Sequence, residues 1–194
     1  KGSGIWIGAG RHRGRKLVVP PGVAVRPTAA RIREALFNIL AHNNWTVADG
    51  PLPSGAHVLD AFAGSGALGL EALSRGAARV FLLETDRAAR TAATANVKKL
   101  YAEGKAFVLP RDATNPGPPP EKHPFTLVLA DPPYHSGLGT KALIALSREG
   151  WLSDSAVAAL ELAADESFAP PGGFSLTDNR KYGRTRIAIL EQTK

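Results

Sequence analysis

Short apolar runs recur along the chain at Val58–Phe62, Val80–Leu83, Ala106–Leu109, Phe125–Ala130 and Val157–Leu162, separated by helical segments and loops. Runs of this length read as buried strands, and strands alternating with helices predict right-handed βαβ units in a mostly parallel sheet covered on both faces. Farther on, Phe174–Arg180 and Thr185–Leu190 flank Tyr182-Gly183 and read as two strands joined by a tight turn. Ahead of the sheet, Ile32, Ala35, Leu36, Ile39 and Leu40 repeat with helical spacing from Ala29 onward, and Thr28 is placed to cap that helix. Ile5–Val19 predicts a short hairpin around Gly10–Gly14, and Gly76 after Arg75 predicts a helix end. The cluster Pro116, Pro118, Pro119 and Pro120 predicts a surface loop before the fourth strand.

A chain of 194 residues suits one α/β domain. Residues 1–50 read as a basic N-terminal arm and helix that belong to the same domain as the sheet-bearing body over residues 51–194. Charge sharpens the picture, because the formal net charge of +7 is polarised. Arg11, Arg13, Arg15, Lys16, Arg26, Arg31 and Arg33 crowd the first part against one nearby acid, Glu34. Arginines among glycines with few acids favour a polyanionic partner, since cations that neutralise phosphates release condensed counterions. Arg11, Arg13, Arg15, Lys16, Arg26 and Arg33 are therefore the expected contacts to a polyanion such as a nucleic acid. No cysteine is present, which removes disulfides, thiolate metal sites and a cysteine nucleophile. The five histidines lack paired metal-ligand spacing, so no metal is expected. No apolar run is long enough to cross a membrane and the start lacks a signal-peptide core, so the expectation is a cytoplasmic protein without membrane attachment.

Candidate chemistry begins at Asp60-Ala61-Phe62-Ala63-Gly64-Ser65-Gly66, a glycine-rich turn between a strand and a helix. Glycines let the backbone approach a ligand at the carboxyl edge of a sheet. Gly64, Gly66 and Gly69 also satisfy G-x-G-x-x-G, with Glu84 at the spacing of a ribose-binding acid, which alone would suit a dinucleotide dehydrogenase. The loop is preceded by Asp60, however, and the motif downstream has no place in hydride transfer. The reading that fits both is S-adenosylmethionine. In it Asp60, Phe62, Ala63, Gly64, Ser65 and Gly66 form the cradle, Glu84 beside Thr85 accepts from the ribose hydroxyls, and Asp112 beside Ala113 accepts from the adenine amine.

That downstream motif is Asp131-Pro132-Pro133-Tyr134, after the fourth strand. Two prolines remove two backbone donors and stiffen the loop, leaving carbonyls and the Asp131 carboxylate as fixed acceptors. An exocyclic base amine carries two N–H donors to meet them. Accepting those hydrogens aims the nitrogen lone pair at a sulfonium methyl, and Tyr134 offers an aromatic face for a base that has left its stack. His135 follows the loop; an isolated histidine there reads first as a surface or core residue, with substrate contact as the lesser alternative. Ser65 lacks the glycine spacing and histidine partner of a hydrolase nucleophile.

These motifs, in order, resemble the bacterial 16S rRNA guanine-N2 methyltransferases called RsmD. The resemblance rests on Gly8–Leu17, Arg26-Pro27-Thr28, Arg33–Asn38, Asp60–Ala72 and Asp131–Tyr134. It implies a Rossmann-like class I methyltransferase fold with a seven-stranded sheet, S-adenosylmethionine as cofactor, and transfer to N2 of one guanine, 966 in conventional numbering. It further implies 16S rRNA as partner within the 30S subunit or a late assembly intermediate, engaged by a monomer. Gly8-Ala9-Gly10 stands where the family begins Gly-Gly, and the proline-rich loop is unusual. Two other readings compete: an adenine-N6 DNA methyltransferase, because the same loop accepts any exocyclic amine, and a non-catalytic RNA-binding assembly protein. The first lacks a separate target-recognition domain; the second sits badly with intact Gly64, Gly66, Glu84 and Asp131.

Overall fold

A computed structural model of the chain describes residues 4–22, 27–45 and 50–193. A two-stranded antiparallel ribbon, β1 (Ile5–Trp6) and β2 (Lys16–Leu17), opens the fold, and α1 (Pro27–His42) follows. The body then runs β3 (His57–Asp60), α2 (Ala67–Ser74), β4 (Arg79–Leu83), α3 (Arg87–Lys99), β5 (Ala106–Leu109), β6 (Phe125–Ala130), α4 (Leu138–Arg148) and β7 (Leu152–Ala163). It ends in the hairpin β8 (Phe174–Tyr182) and β9 (Thr185–Gln192). The seven-stranded sheet has the order β5-β4-β3-β6-β7-β9-β8. It is parallel through β7 and antiparallel where β9 slots between β7 and β8.

Alternation along each strand builds two cores. Val58, Val80, Leu82, Leu127 and Ile189 face α1, α2, α3 and the ribbon, while Leu59, Phe81, Leu83, Val128 and Leu160 face α4 and Trp151. The apolar stripe of α1 explains why that helix docks: Leu36, Phe37, Ile39 and Leu40 are all buried. The helix opens at Pro27, a favoured first helical residue, so Thr28 lies inside it rather than capping it. In α3 the cap is Asp86, whose Oδ1 accepts from the Ala89 amide at 2.8 Å.

β7 starts five residues earlier than its apolar run predicts, because Ser153, Asp154 and Ser155 hide it. The strand keeps pairing across a bulge, with Phe125 opposite Leu152 but Leu127 opposite Val157, and Ser155 takes a φ of 107° within it. The proline-rich loop is held by its carbonyls: Gly117 O accepts from Trp151 Nε1 at 2.7 Å and Pro116 O from the Arg111 guanidinium at 3.1 Å.

Strand order reverses between β3 and β6, since the chain leaves β3 toward β4 on one side and β6 toward β7 on the other. The loops after those two strands consequently diverge and leave a crevice at the carboxyl edge, which is where parallel α/β sheets bind ligands.

Candidate active site

That crevice is a cavity of about 730 Å³. Phe62, Ala63, Gly64 and Ser65 line it from the loop after β3, Glu84 and Thr85 from the end of β4, Asp112 and Ala113 from the turn after β5, and Asp131 to Tyr134 from the loop after β6. Both ligand loops read from the sequence thus border one cavity.

The glycine loop is clamped from below. Asp60 is fully buried, and its Oδ2 accepts from the Gly69 amide at 2.8 Å, tying the strand end to the first turn of α2. Gly69 allows the approach: a Cβ there would stand 2.3 Å from Leu82 Cδ2 and 2.8 Å from Val80 Cγ1. Asp60 was expected among the cofactor contacts, but neither it nor Gly66 lines the cavity. It holds the loop that does, because it sits at the strand end beneath the turn. Burial pushes its carboxyl up to about 7, opposed by the Gly69 hydrogen bond and reinforced by the charge of Glu84.

Glu84 is half-buried, and its Oε2 accepts from the Gly64 amide and its Oε1 from the Asp86 amide, each at 2.8 Å. The acid thereby bridges the glycine loop to the start of α3 while lining the cavity. Asp112 is exposed; one of its oxygens accepts from the amide and the hydroxyl of Thr114, both at 2.8 Å, which fixes the turn that presents it.

On the opposite wall, Asp131 is exposed at the cavity and Pro132 is buried beneath it. Tyr134 is half-buried, and its hydroxyl bonds to Glu161 Oε1 on β7 and to Thr185 Oγ1 on β9, both at 2.9 Å. Burial raises the phenol's pKa, Thr185 opposes the shift, and the charges of Glu161 and Asp131 add to it. The neutral phenol therefore stays a donor and the ring is pinned by two strands. His135 instead turns to the edge of the fold, its Nε2 3.5 Å from Asp165 Oδ1.

The arm is docked more firmly than an extended basic segment would be. Glu71 on α2 is fully buried, yet its carboxylate accepts from the amides of Gly8 at 2.8 Å and Ala9 at 3.0 Å, and from Arg75 Nε at 2.8 Å. Arg33 Nε stands 3.5 Å from the same carboxylate, and Arg33 also donates to Trp6 O at 2.6 Å. The expectation that Arg33 contacts RNA is corrected by this burial: only 8% of it is exposed, and its guanidinium is committed inside the protein. Arg11, Arg13, Arg15 and Lys16 are exposed, while Arg26 lies outside the described residues.

Two further contacts close the dock. Ser74 O at the end of α2 accepts from the Arg11 amide at 2.8 Å, and Gly10 is required there because a Cβ would fall 1.8 Å from that oxygen. Asn96 on α3 is fully buried; its Oδ1 accepts from the Val18 amide at 2.7 Å and its Nδ2 donates to Val18 O at 2.8 Å and Ser65 O at 2.9 Å. One side chain therefore joins the arm to the glycine loop. Sequence reading assigned no role to Asn96, Glu161 or Thr185; nothing local marks them, although Glu71 stands out as an acid among apolar helix positions.

Among the described residues no group of three or more histidine, aspartate or glutamate side chains is arranged to hold a metal ion, and no helix is long and apolar enough to cross a membrane.

The seven-stranded order with its antiparallel end, and a cavity bounded by the glycine and D-P-P-Y loops, define a class I methyltransferase fold. A family described as Conserved hypothetical protein 95 matches residues 5–191. The chain is 38% identical over 193 residues to ribosomal RNA small subunit methyltransferase D of Escherichia coli (strain K12), covering 98% of this chain and 92% of the relative. It is 34% identical to the protein of that name from Haemophilus influenzae (strain ATCC 51907 / DSM 11121 / KW20 / Rd), covering 92% and 89%. The solved structure of yhhF from Escherichia coli superposes with a TM-score of 0.79 at 36% identity, covering 97% of this chain and 98% of that one. The chain belongs to this family, that of the RsmD methyltransferases.

Proposed function

We propose that the chain is an S-adenosylmethionine-dependent methyltransferase that modifies N2 of one guanine in 16S rRNA, position 966 in conventional numbering, within the small ribosomal subunit or a late assembly intermediate. The observation that carries this reading is the shared cavity: a carboxylate pair suited to ribose and adenine, Glu84 and Asp112, faces the acceptor loop Asp131–Tyr134. The residues fit the cofactor. Gly64 has nothing within 4 Å of where a Cβ would stand, so its backbone borders open space, and Glu84 lies against its amide. Phe62, Ala63, Gly64 and Ser65 would flank the methionine and ribose portions, Glu84 and Thr85 the ribose, and Asp112 and Ala113 the adenine. Bound there, S-adenosylmethionine supplies an electrophilic methyl group on a sulfonium.

The protein's own contribution is positioning. Asp131 and the carbonyls of its loop accept the two amine hydrogens, drawing the nitrogen lone pair out of conjugation and aiming it across the cavity. The amine becomes acidic only as the new bond forms, so an ordinary carboxylate or water suffices to take its proton. Tyr134, pinned through its hydroxyl, presents a ring face to the extruded base, and closure around the base excludes water. Arg11, Arg13, Arg15 and Lys16 grip phosphate. The protein acts in the cytoplasm, as a monomer.

The deciding experiment is transfer of labelled methyl from S-adenosylmethionine to small subunits from cells lacking this enzyme, with naked rRNA and DNA in parallel, followed by mapping of the modified base. N2-methylguanine at one rRNA site is the expected result. Label in DNA adenine alone, or cofactor binding without transfer to any of the three, would overturn the proposal.

A further inference from the structure

Of the three tryptophans in the chain, Trp45 and Trp151 are 4% and 0% exposed, whereas Trp6 is 46% exposed. An indole left this open on a two-stranded ribbon has no packing explanation, and three observations give it another. First, its position is immobilised: Trp6 O accepts from the buried Arg33, which Glu71 holds in turn, and Trp6 pairs in register with Lys16. Second, Lys16 Nζ lies 5.6 Å from the indole centroid, so a cation and an aromatic face share one patch with exposed Val18. Third, the preceding residue, Ile5, lines the cavity that holds Asp131.

We infer that Trp6 and Lys16 form a nucleotide platform, on which an unpaired base next to the methylated one stacks against the indole while Lys16 meets its phosphate. Extruding a target base unstacks its neighbours, so an aromatic surface on the ribbon whose Ile5 lines the cavity stabilises the opened strand. A base meets this patch better than a protein side chain does, because the surrounding exposed residues Arg11, Arg13 and Arg15 repel a cationic surface and attract phosphates. The inference rests on the reading that the substrate is RNA, but not on which base is methylated.

Trp6 also reports on itself, since the other two indoles are shielded. The test is a titration of the whole 194-residue chain with a 12-nucleotide single-stranded RNA, followed by tryptophan emission and repeated with Trp6→Ala and Trp6→Phe. Emission should be quenched in the wild type. Trp6→Ala should bind about thirtyfold more weakly, near the middle of the range for loss of one base–aromatic stack. Trp6→Phe should recover most of that affinity without the quenching, and both variants should keep the wild-type dependence of affinity on salt. Unchanged emission and affinity would overturn the platform, even if methyl transfer to small subunits succeeds. Quenching would support it even if the mapped base is not guanine. A loss of binding to assembled subunits with none to the oligonucleotide or naked rRNA would overturn it in favour of a ribosomal-protein contact.

Discussion

Glu71 and Asp131 are both carboxylates on the α/β body, but their surroundings are opposite. Glu71 is sealed off from solvent, and two amides and two guanidinium groups converge on it. Asp131 stands exposed at a cavity, beside a phenol whose hydroxyl is already committed elsewhere. The first acid uses its charge to assemble the protein, and the second keeps its charge where a substrate can reach it. Burial decides between the roles. A sealed charge must be matched by neighbours from the fold itself, whereas an exposed one keeps acceptor capacity for a ligand at little cost in stability.

The comparison breaks most visibly at Glu71. Glu71→Ala strips a buried arginine of its partner and should cost about 3–5 kcal/mol of unfolding free energy, read from urea melts. Asp131→Ala should leave those melts unchanged yet reduce methyl transfer roughly 100- to 1,000-fold, the range for removing one group that stabilises developing charge. Binding of S-adenosylhomocysteine, followed by calorimetry, should survive in that variant; its loss would move Asp131 from substrate to cofactor. Asn96→Ala falls between the regions, because the buried side chain serves both the arm and the glycine loop. It should cost about 1–3 kcal/mol in stability, the penalty for leaving buried backbone groups without partners, and weaken cofactor binding and RNA binding together. Loss of only one would show that the two regions are not joined there.

The last effect concerns pH. The Asp60 carboxyl is raised in the folded state to about 7 from an ordinary 3.8. A raised value means that the folded state holds the proton more tightly, so the stabilisation is complete below the ordinary value and is lost as pH climbs through about 7. Thermal melts between pH 5 and 8 should therefore decline with pH in the wild type and flatten in Asp60→Asn. Equal slopes would remove Asp60 as the source.

Strands and the two loops that border the cavity were legible because their signals are local: an apolar run, a glycine turn or a proline pair is read within a dozen residues. The β7 start escaped because Ser153, Asp154 and Ser155 carry no apolar pattern, and the backbone pairing there is set by neighbouring β6. Arg33 was misread as surface charge although its phase in α1, four residues before Phe37 and seven before Leu40, puts it on the buried stripe. Its partner could not be foreseen, since Glu71 comes from another helix. Glu161 and Thr185 were equally hidden, because their meeting with Tyr134 depends on β9 inserting between β7 and β8.

The dock on Glu71, Ser74 and Asn96 also has a consequence for the order of events during synthesis. The hairpin leaves the ribosome before α2 and α3, and these three anchors lie 62 to 78 residues behind the amides they hold. At about 5–20 residues per second, its arginines wait on the order of several seconds before α2 and α3 exist to receive them. A nascent chain therefore cannot hold its basic hairpin in the folded arrangement until the strand-to-helix turn after β3 has formed, and the proposed RNA contact matures together with the proposed cofactor site.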